Sequence, residues 1–462
     1  MRLSIAPPLD PTFCPLSIVY RDFCAAVSTA PSQEAALSIE RSRGQVSTFP
    51  ITIFADGTGH DDENYALVER IAKTLLWARG GFRLTVSGSL PIYQRLSAAY
   101  TQGGSRAFDA DFMARVYEQP FEVVYIADAA NAPKTSESSS PIGRHLDGCR
   151  IGFDAGGSDR KVSAVMNGEA VYSEEIVWHP KTQNDPSYHY QGILEAMKTA
   201  ASHMPRVDAI GVSSAGIYVD NRIMAASLFL KVSDEDFAAQ VKNMYIDVAA
   251  KIGDVPLEVA NDGDVTALAG AMELEDGNVL GIAMGTSEAG GFVDGDGNIT
   301  GWLNELAFVP VDASPDAMED EWSGDIGCGV KYFSQDGVIK LAPAAGIALD
   351  DSLSPGEKLK IVQKAMAEGH PNAPKIYESI GIYLGYALSW YALFYDFRHL
   401  LLMGRVTSGD GGAILIESAK RVLDEVFPEL AARLSIHLPD ENNRRLGQSV
   451  AAASLPAFST KN

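Results

Sequence analysis

Two glycine-rich segments of the chain each follow an apolar strand pattern and carry hydroxyl side chains. The first, residues 154–158 (DAGGS), follows the apolar pattern of 151–153, and the second, residues 285–291 (GTSEAGG), follows 279–284. Glycine lets backbone N–H groups approach phosphate oxygens without a Cβ in the way, and Ser and Thr hydroxyl groups add donors. Both segments therefore predict phosphate-binding loops, although each alone is also compatible with an ordinary glycine-rich turn.

The two loops open a repeated pattern of strand, loop, strand and turn. In the first copy, a strand pattern over 162–165 leads to Asn167-Gly168, a pair typical of a two-residue hairpin turn. In the second copy, Phe292-Val293 leads to the turn residues 294–298. Two copies in one chain predict two related lobes, with a nucleotide held between two facing hairpin loops.

Upstream of this repeat, strand patterns alternate with helical patterns, which predicts a small parallel α/β unit. Residues 1–45 are interpreted as irregular, and the polar run 134–141 as a boundary loop. The strand patterns cover 49–54, 82–86 and 121–126, and the helical patterns cover 61–78 and, as two helices, 91–117.

Composition narrows the class of protein. The 462 residues carry a net charge of -23, and the first 150 hold 14 Lys and Arg against 16 Asp and Glu, which argues against nucleic-acid binding. The most apolar stretch, 380–393, is shorter than the ~20 residues that span a bilayer. Four cysteines without a CxxC pair favour a reducing cytoplasm over disulfides or a structural zinc site.

Six segments follow one another between residues 150 and 460: 154–158, 210–216, 259–264, 285–291, 383–404 and 445–453. In this order they resemble motifs of the ROK family of sugar kinases and sugar-responsive repressors, within the actin/hexokinase/Hsp70 ATPase superfamily. The resemblance implies an α/β fold with two RNase H-like lobes around a nucleotide cleft. The expected domains are an N-terminal α/β region (1–147), a first lobe (148–265 with a C-terminal helix in 440–462) and a second lobe (266–439).

The same resemblance implies roles for individual residues. Asp262 is expected to be the general base, Asn261 and Glu305 to bind the sugar, and Asp154 to hold Mg²⁺ through water. ATP and Mg²⁺ are the expected cofactors. The residues expected to bind the nucleotide and its phosphates are Asp154, Gly156, Gly157, Ser158, Gly285, Thr286, Ser287, Gly290, Gly291 and Gly404.

The acceptor motif departs from the family pattern. Glu305-Leu306-Ala307-Phe308 matches the family's ExGH, with Phe308 in place of a histidine that commonly also ligates zinc. Only Cys328 remains near it, so no zinc is expected. Lys331 aligns with a second sugar-contacting glutamate, and the identity of the acceptor is therefore open.

Two functions are compatible with this sequence. One is an ATP-dependent kinase of a hydroxyl on a sugar or sugar-like molecule. The other is a sugar- or nucleotide-sensing regulatory protein with weak catalysis. A homodimer is possible, and neither nucleic acid nor a membrane is an expected partner.

Overall fold

The computed structural model describes residues 3–137, 142–439 and 441–457, with the side chains of 441–446 excluded. Parts of two predicted segments, the loop 134–141 and the C-terminal helix 440–462, lie outside the described residues.

The strands and helices alternate along most of the chain, and the predicted α/β class is confirmed. The strands are β1 Ser32–Glu40, β2 Val46–Phe54, β3 Arg83–Ser87, β4 Glu122–Ile126, β5 Cys149–Ala155, β6 Asp159–Met166, β7 Glu169–Val177, β8 Ala209–Ser214, β9 Ile217–Val219, β10 Arg222–Ala225, β11 Leu257–Asn261, β12 Val279–Met284, β13 Glu288–Val293, β14 His399–Met403 and β15 Ser435–His437. The helices are α1 Leu16–Val27, α2 Asp61–Arg79, α3 Leu90–Ala99, α4 Ala107–Tyr117, α5 Pro186–Ser202, α6 Asp234–Asp236, α7 Met244–Ile252, α8 Asp262–Leu274, α9 Gln335–Leu341, α10 Pro355–Ala367, α11 Ala373–Tyr391, α12 Asp410–Val426, α13 Pro428–Ala431 and α14 Glu441–Ala453.

The chain forms two compact units. Unit one comprises Met1–Ser138, Ile282–Gly290 and Trp302–His437, and unit two comprises Ser139–Gly281, Gly291–Gly301 and Leu438–Asn462. The N-terminal region thus groups with most of the expected second lobe, and the division into three domains stays a prediction.

Unit two contains a sheet with the strand order β11-β8-β5-β6-β7. The strands β5, β6 and β7 form an antiparallel meander, whereas β8 and β11 continue the sheet in parallel from β5. The turn between β6 and β7 is the predicted Asn167-Gly168 pair, with φ angles of 50° and 87°. Asn and Gly tolerate this left-handed region better than other residues do.

Helix α14 packs closely on this sheet. A Cβ on Gly152 of β5 would overlap the carbonyl of Ser449, and one on Gly211 of β8 would overlap the carbonyl of Ala452. Two glycines on neighbouring strands thus let the backbone of α14 lie directly against the sheet. Apolar side chains of these two strands, such as Ile151 of β5 and Val212 of β8, are fully buried.

The N-terminal sheet of unit one has the order β2-β1-β3-β4, and only β3 and β4 pair in parallel. The prediction of a parallel sheet is therefore wrong for β2, which pairs antiparallel with β1. Residues 1–45, interpreted as irregular, contain α1 and β1. The sequence of β1 (SQEAALSIE) has weak strand propensity. Helix α1 has no side-chain cap at Pro15, so the sequence carries no signal for the start of this helix.

The remaining sheet has the order β13-β12-β14-β15. Helix α11 of unit one is almost entirely buried, and its aromatic residues belong to the core. Of these, Tyr377, Tyr383, Tyr386, Trp390 and Tyr391 are at most 1% exposed.

A buried ion cluster in unit one joins the N-terminal region to the segment around residue 325. Asp325 pairs with Lys73 Nζ at 2.7 Å, with Arg106 Nη1 at 2.9 Å and with Arg70 Nη1 at 3.0 Å. Glu69 completes the cluster through contacts with Arg70 and Arg106. Lys73 is fully buried. Removing a single member of such a cluster leaves an uncompensated buried charge, which is costly.

We therefore expect Asp325→Asn to lower the free energy of unfolding by about 3–5 kcal/mol, because Lys73 and Arg106 lose their shared partner. Urea denaturation followed by circular dichroism measures this change. The control is Glu368→Gln, which removes an exposed ion pair with Lys364 and should leave the midpoint unchanged. Equal midpoints for Asp325→Asn and the control would contradict the role given to the cluster.

Candidate nucleotide and acceptor site

Three parallel strands of unit two end at one edge of their sheet, and polar side chains follow there. The register pairs Asp154 of β5 with Ser213 of β8, and Ser214 of β8 with Asn261 of β11. Asp262 comes directly after Asn261. The structure thus places Asp154 and the predicted base Asp262 at the carboxyl edge, where ligands bind in open α/β sheets.

Asp154 is buried and held by two neighbours. Its Oδ1 accepts a hydrogen bond from Ser213 Oγ at 2.9 Å, and its Oδ2 lies 3.8 Å from Lys161 Nζ. Burial raises the pKa of Asp154 to about 6, with Lys161 and Ser213 opposing the rise and the charge of Asp262 adding to it. The motif match predicted Asp154, whereas Lys161 and Ser213 were missed.

The environment of Asp154 fits a divalent cation. Within the described ranges, no three His, Cys, Asp or Glu side chains group as a metal site. Mg²⁺ needs no such cage, because it usually binds one or two carboxylates and keeps several waters. The negative charges of Asp154 and Asp262 repel each other at this edge of the sheet, and a bound cation would reduce that repulsion.

Asn261 and Asp262 begin helix α8. Asn261 Oδ1 caps the helix by accepting from the N–H of Gly263 at 2.7 Å, and its Nδ2 donates to the Gly216 carbonyl at 2.7 Å. Asp262 is half-buried, and burial raises its pKa. The helix start fixes the direction of both side chains, which a base and a hydrogen-bonding ligand both require.

The first glycine loop is held by residues from the connection between β7 and α5. Trp178 Nε1 donates to the Gly156 carbonyl at 2.8 Å, and Gly157 lies against the side chain of Lys181. Gly157 and Ser158 are exposed. Trp178 and Lys181 lie in no motif, so the sequence offered no signal for either.

The second glycine loop belongs to unit one over residues 285–287. Gly285 accepts a hydrogen bond from the backbone N–H of Gln335 at 2.9 Å, whereas Thr286 and Ser287 are exposed. Gly404 (φ 98°) lies so close to this loop that a Cβ there would overlap the carbonyl of Met284. The predicted residues 285–287 and Gly404 are therefore neighbours.

Gly290 and Gly291 are glycines for reasons of packing. A Cβ on Gly290 would stand 2.5 Å from the Asn304 carbonyl, and one on Gly291 would overlap the carbonyl of Gly263. Close backbone contacts thus require both glycines, and direct contact of either with phosphate remains a prediction. The facing of the two loops across one cleft likewise remains a prediction.

The backbone of Glu305, which is predicted to bind the acceptor, is held by the N-terminal region. The N–H groups of residues 303–305 donate in turn to the carbonyl oxygens of Arg79, Ala78 and Trp77, at 3.2, 3.1 and 3.1 Å. These carbonyls belong to the last turn of α2, where a helix has no internal partners for them. The helix end thus sets the backbone from which Glu305 projects.

Phe308 packs on the same helix. Its ring stacks on that of Trp77 with centroids 4.2 Å apart, and Trp77 Nε1 donates to Asp109 at 2.8 Å. The aromatic residue in the place of the family's histidine therefore has a structural partner in α2. Lys331 forms ion pairs with Glu321 and, at 2.8 Å, with Asp336.

Comparison of the sequence with family models and with curated proteins gives no match. Among solved structures, a ROK hexokinase from Thermus thermophilus is 17% identical, with a TM-score of 0.51 over 66% of this chain and 97% of that chain. A ROK family transcriptional regulator described as a homologue of the E. coli MLC protein is 18% identical, with a TM-score of 0.53 over 67% and 79%.

The chain has the ROK fold. Both solved structures leave about a third of the chain unmatched. The ROK fold is shared by a kinase and a regulator, so the fold alone does not decide between catalysis and sensing. No helix in the described ranges is long and apolar enough to cross a membrane.

A pH-dependent stability change follows from the burial of Asp154. Its pKa rises from an ordinary value of 3.8 to about 6 in the fold, so the proton stabilises the fold at low pH. This contribution disappears as the pH rises through about 6. Because asparagine stays neutral, the free energy of unfolding of Asp154→Asn should be about 3 kcal/mol higher than that of the wild type above that pH. Below about pH 4 the two free energies should be nearly equal. Urea midpoints across this range without Mg²⁺ measure the gap, and a gap independent of pH would contradict the assignment.

Zinc content tests the interpretation of Phe308. Because its ring packs on Trp77 and Cys328 is buried, we expect the purified protein to contain no stoichiometric zinc. Elemental analysis measures this, and one zinc per chain would show the expectation to be wrong.

Proposed function

We propose that the chain is an ATP-dependent kinase that phosphorylates a hydroxyl group of a sugar or sugar-like small molecule. The observation that carries this proposal is the joint position of Asp154 and Asp262 at one sheet edge, within a fold shared with a ROK hexokinase. The four free cysteines suit a reducing compartment such as the cytoplasm.

Phosphoryl transfer demands positioning and charge neutralisation more than covalent participation of the protein. In the proposed reaction, Asp262 accepts the proton of the acceptor hydroxyl as the bond between its oxygen and the γ-phosphorus forms. The bond to the leaving ADP oxygen breaks at the same centre. The raised pKa of Asp262 favours this role, because a base is most effective when its pKa approaches the working pH.

The nucleotide would be held by the two glycine loops. Exposed hydroxyl and N–H groups of Ser158, Thr286 and Ser287 are donors for phosphate oxygens, and Lys181 adds a positive charge beside Gly157. Bound Mg²⁺ supplies neutralisation of the phosphate charge, and Asp154 would hold it through water.

Two residues are proposed to bind the acceptor. Beyond its contacts with Gly216 and Gly263, Asn261 keeps one amide hydrogen and one lone pair, and these suit a sugar hydroxyl. Glu305 would accept from a second hydroxyl, with its position set by the end of α2.

A second candidate is a sensor with weak catalysis. It is favoured by the likeness to a ROK transcriptional regulator and by Lys331, whose charge is engaged by Glu321 and Asp336. The two functions predict different effects of an Asp262 substitution on acceptor-dependent ADP release.

For the kinase, Asp262→Asn should lower acceptor-dependent ADP release by at least about a hundredfold, because the amide lacks basicity while keeping the shape. ATP binding and the melting temperature should stay near those of the wild type. A coupled ADP-release assay over hexoses, amino sugars, sugar acids and polyols, with ATP and Mg²⁺, measures the effect.

Ser158→Ala serves as a comparison, because it removes one phosphate donor without touching the base and should reduce ADP release far less. Turnover by Asp262→Asn within a few-fold of an active wild type would rule out Asp262 as the base. Negligible wild-type turnover together with acceptor binding would favour the sensor.

A further inference from the structure

A buried glutamate follows the exposed residues Thr286 and Ser287 within the second glycine-rich segment. Glu288 is the first residue of β13 and only 3% exposed. Within the described ranges, neither of its carboxylate oxygens has a hydrogen-bond partner. The mechanism above gives this residue no role.

The position of its carboxyl group is fixed by a glycine opposite. A Cβ on Gly329 would overlap Glu288 Oε2 and would stand 2.6 Å from the carbonyl oxygen of Leu306. The carboxyl group therefore lies over the Gly329 backbone, close to the carbonyl that follows Glu305. Glycine at 329 leaves the space that this arrangement needs.

Two other unpartnered side chains belong to the same part of unit one. Gln335, whose backbone N–H binds Gly285, is 1% exposed, and neither its amide oxygen nor its nitrogen has a partner among the described residues. The hydroxyl of Tyr391 is also buried without one. Burial raises the pKa of Tyr391 well above its usual range, and the negative charge of Glu288 contributes to the rise. The hydroxyl group of Tyr391 therefore interacts electrostatically with the carboxyl group of Glu288.

A cation beside these groups would stabilise the ionised form of Glu288, which burial disfavours. Burial, and secondarily the charge of Glu305, raise the pKa of Glu288 well above its usual range. The nearby cations are engaged elsewhere, since Lys331 pairs with Asp336 and Lys73 with Asp325. Native proteins leave few buried polar groups unsatisfied, so a group of them calls for an occupant.

We propose that Glu288, with the Leu306 carbonyl and the side chains of Gln335 and Tyr391, binds a monovalent cation. The source is either an ammonium group on the acceptor or a free K⁺ or Na⁺ ion. One carboxylate among neutral oxygens matches a single positive charge, whereas Ca²⁺ sites gather several carboxylates. The ammonium alternative rests on the proposed kinase function, and the free-ion alternative does not.

A cation at this place would connect two parts of the site. It would hold the Leu306 carbonyl and hence the turn that begins at Glu305, and it would lie behind the loop 285–287. An acceptor bearing an amine would then be preferred over its hydroxyl counterpart, or a free ion would strengthen acceptor binding.

The test compares the wild type with Glu288→Gln, Tyr391→Phe and the control Glu417→Gln, which changes an exposed glutamate of α12. Melting temperatures are measured in KCl, NaCl and tetramethylammonium chloride at equal ionic strength. A second series in tetramethylammonium chloride titrates glucosamine against glucose, mannosamine against mannose and galactosamine against galactose. ADP release with ATP and Mg²⁺ is recorded on the same samples.

We expect K⁺ or Na⁺, or one of the amino sugars, to raise the melting temperature of the wild type and of Glu417→Gln. Glu288→Gln should weaken the apparent affinity by about tenfold or more, and Tyr391→Phe by a smaller factor. A response to the salts identifies a free ion, and a response to the amino sugars alone identifies the ammonium group.

The proposal is overturned if no cation or amino sugar stabilises the wild type, or if Glu288→Gln responds as the control does. Should Glu288→Gln fail to fold, an unchanged response in Tyr391→Phe overturns it instead. Turnover of neutral sugars without any effect of these substitutions contradicts this inference but not the kinase. Stabilisation that depends on Glu288 without turnover of any sugar contradicts the kinase and leaves the cation site standing.

Discussion

The hydrogen bonds between the last turn of α2 and residues 303–305 determine the position of the backbone at Glu305, the proposed acceptor ligand. A helix ends with carbonyl groups that have no internal partner, and here the N–H groups of 303–305 satisfy those of Trp77, Ala78 and Arg79. Gly80, with φ 78°, ends the helix in a conformation that other residues rarely adopt. Glu305 thus takes its place from a region outside the matched ROK motifs.

Two further interactions keep α2 in place. The buried Lys73 and the partly buried Arg70 of this helix form ion pairs with Asp325, and Trp77 stacks on Phe308. One helix therefore contacts the segment that carries Glu305 through an aromatic ring and the segment around Asp325 through charges. The described contacts thus support this stretch of backbone from α2. The N-terminal region is accordingly part of the architecture of unit one.

Sequence reasoning found the features that depend on local pattern. Apolar strands ending in Asp154 and Asn261 could be located because polar residues break the pattern at the sheet edge, and Asn167-Gly168 marks its turn by composition. Features that depend on tertiary contact stayed hidden. Strand β1 has weak propensity and is held by its neighbours β2 and β3. Trp178 contacts Gly156, and the carboxyl group of Glu288 lies over the backbone of Gly329, so no spacing along the chain reveals either residue.

Transfer of a phosphoryl group to a small hydroxylated acceptor is the reaction that we propose for this site. Phosphorus NMR of the full chain with ATP, Mg²⁺ and a panel of sugars and amino sugars tests it most directly, because it distinguishes transfer from hydrolysis. We expect a new phosphomonoester resonance that grows with that of ADP and is absent without acceptor. Formation of inorganic phosphate alone, or unchanged ATP with every acceptor, would contradict it.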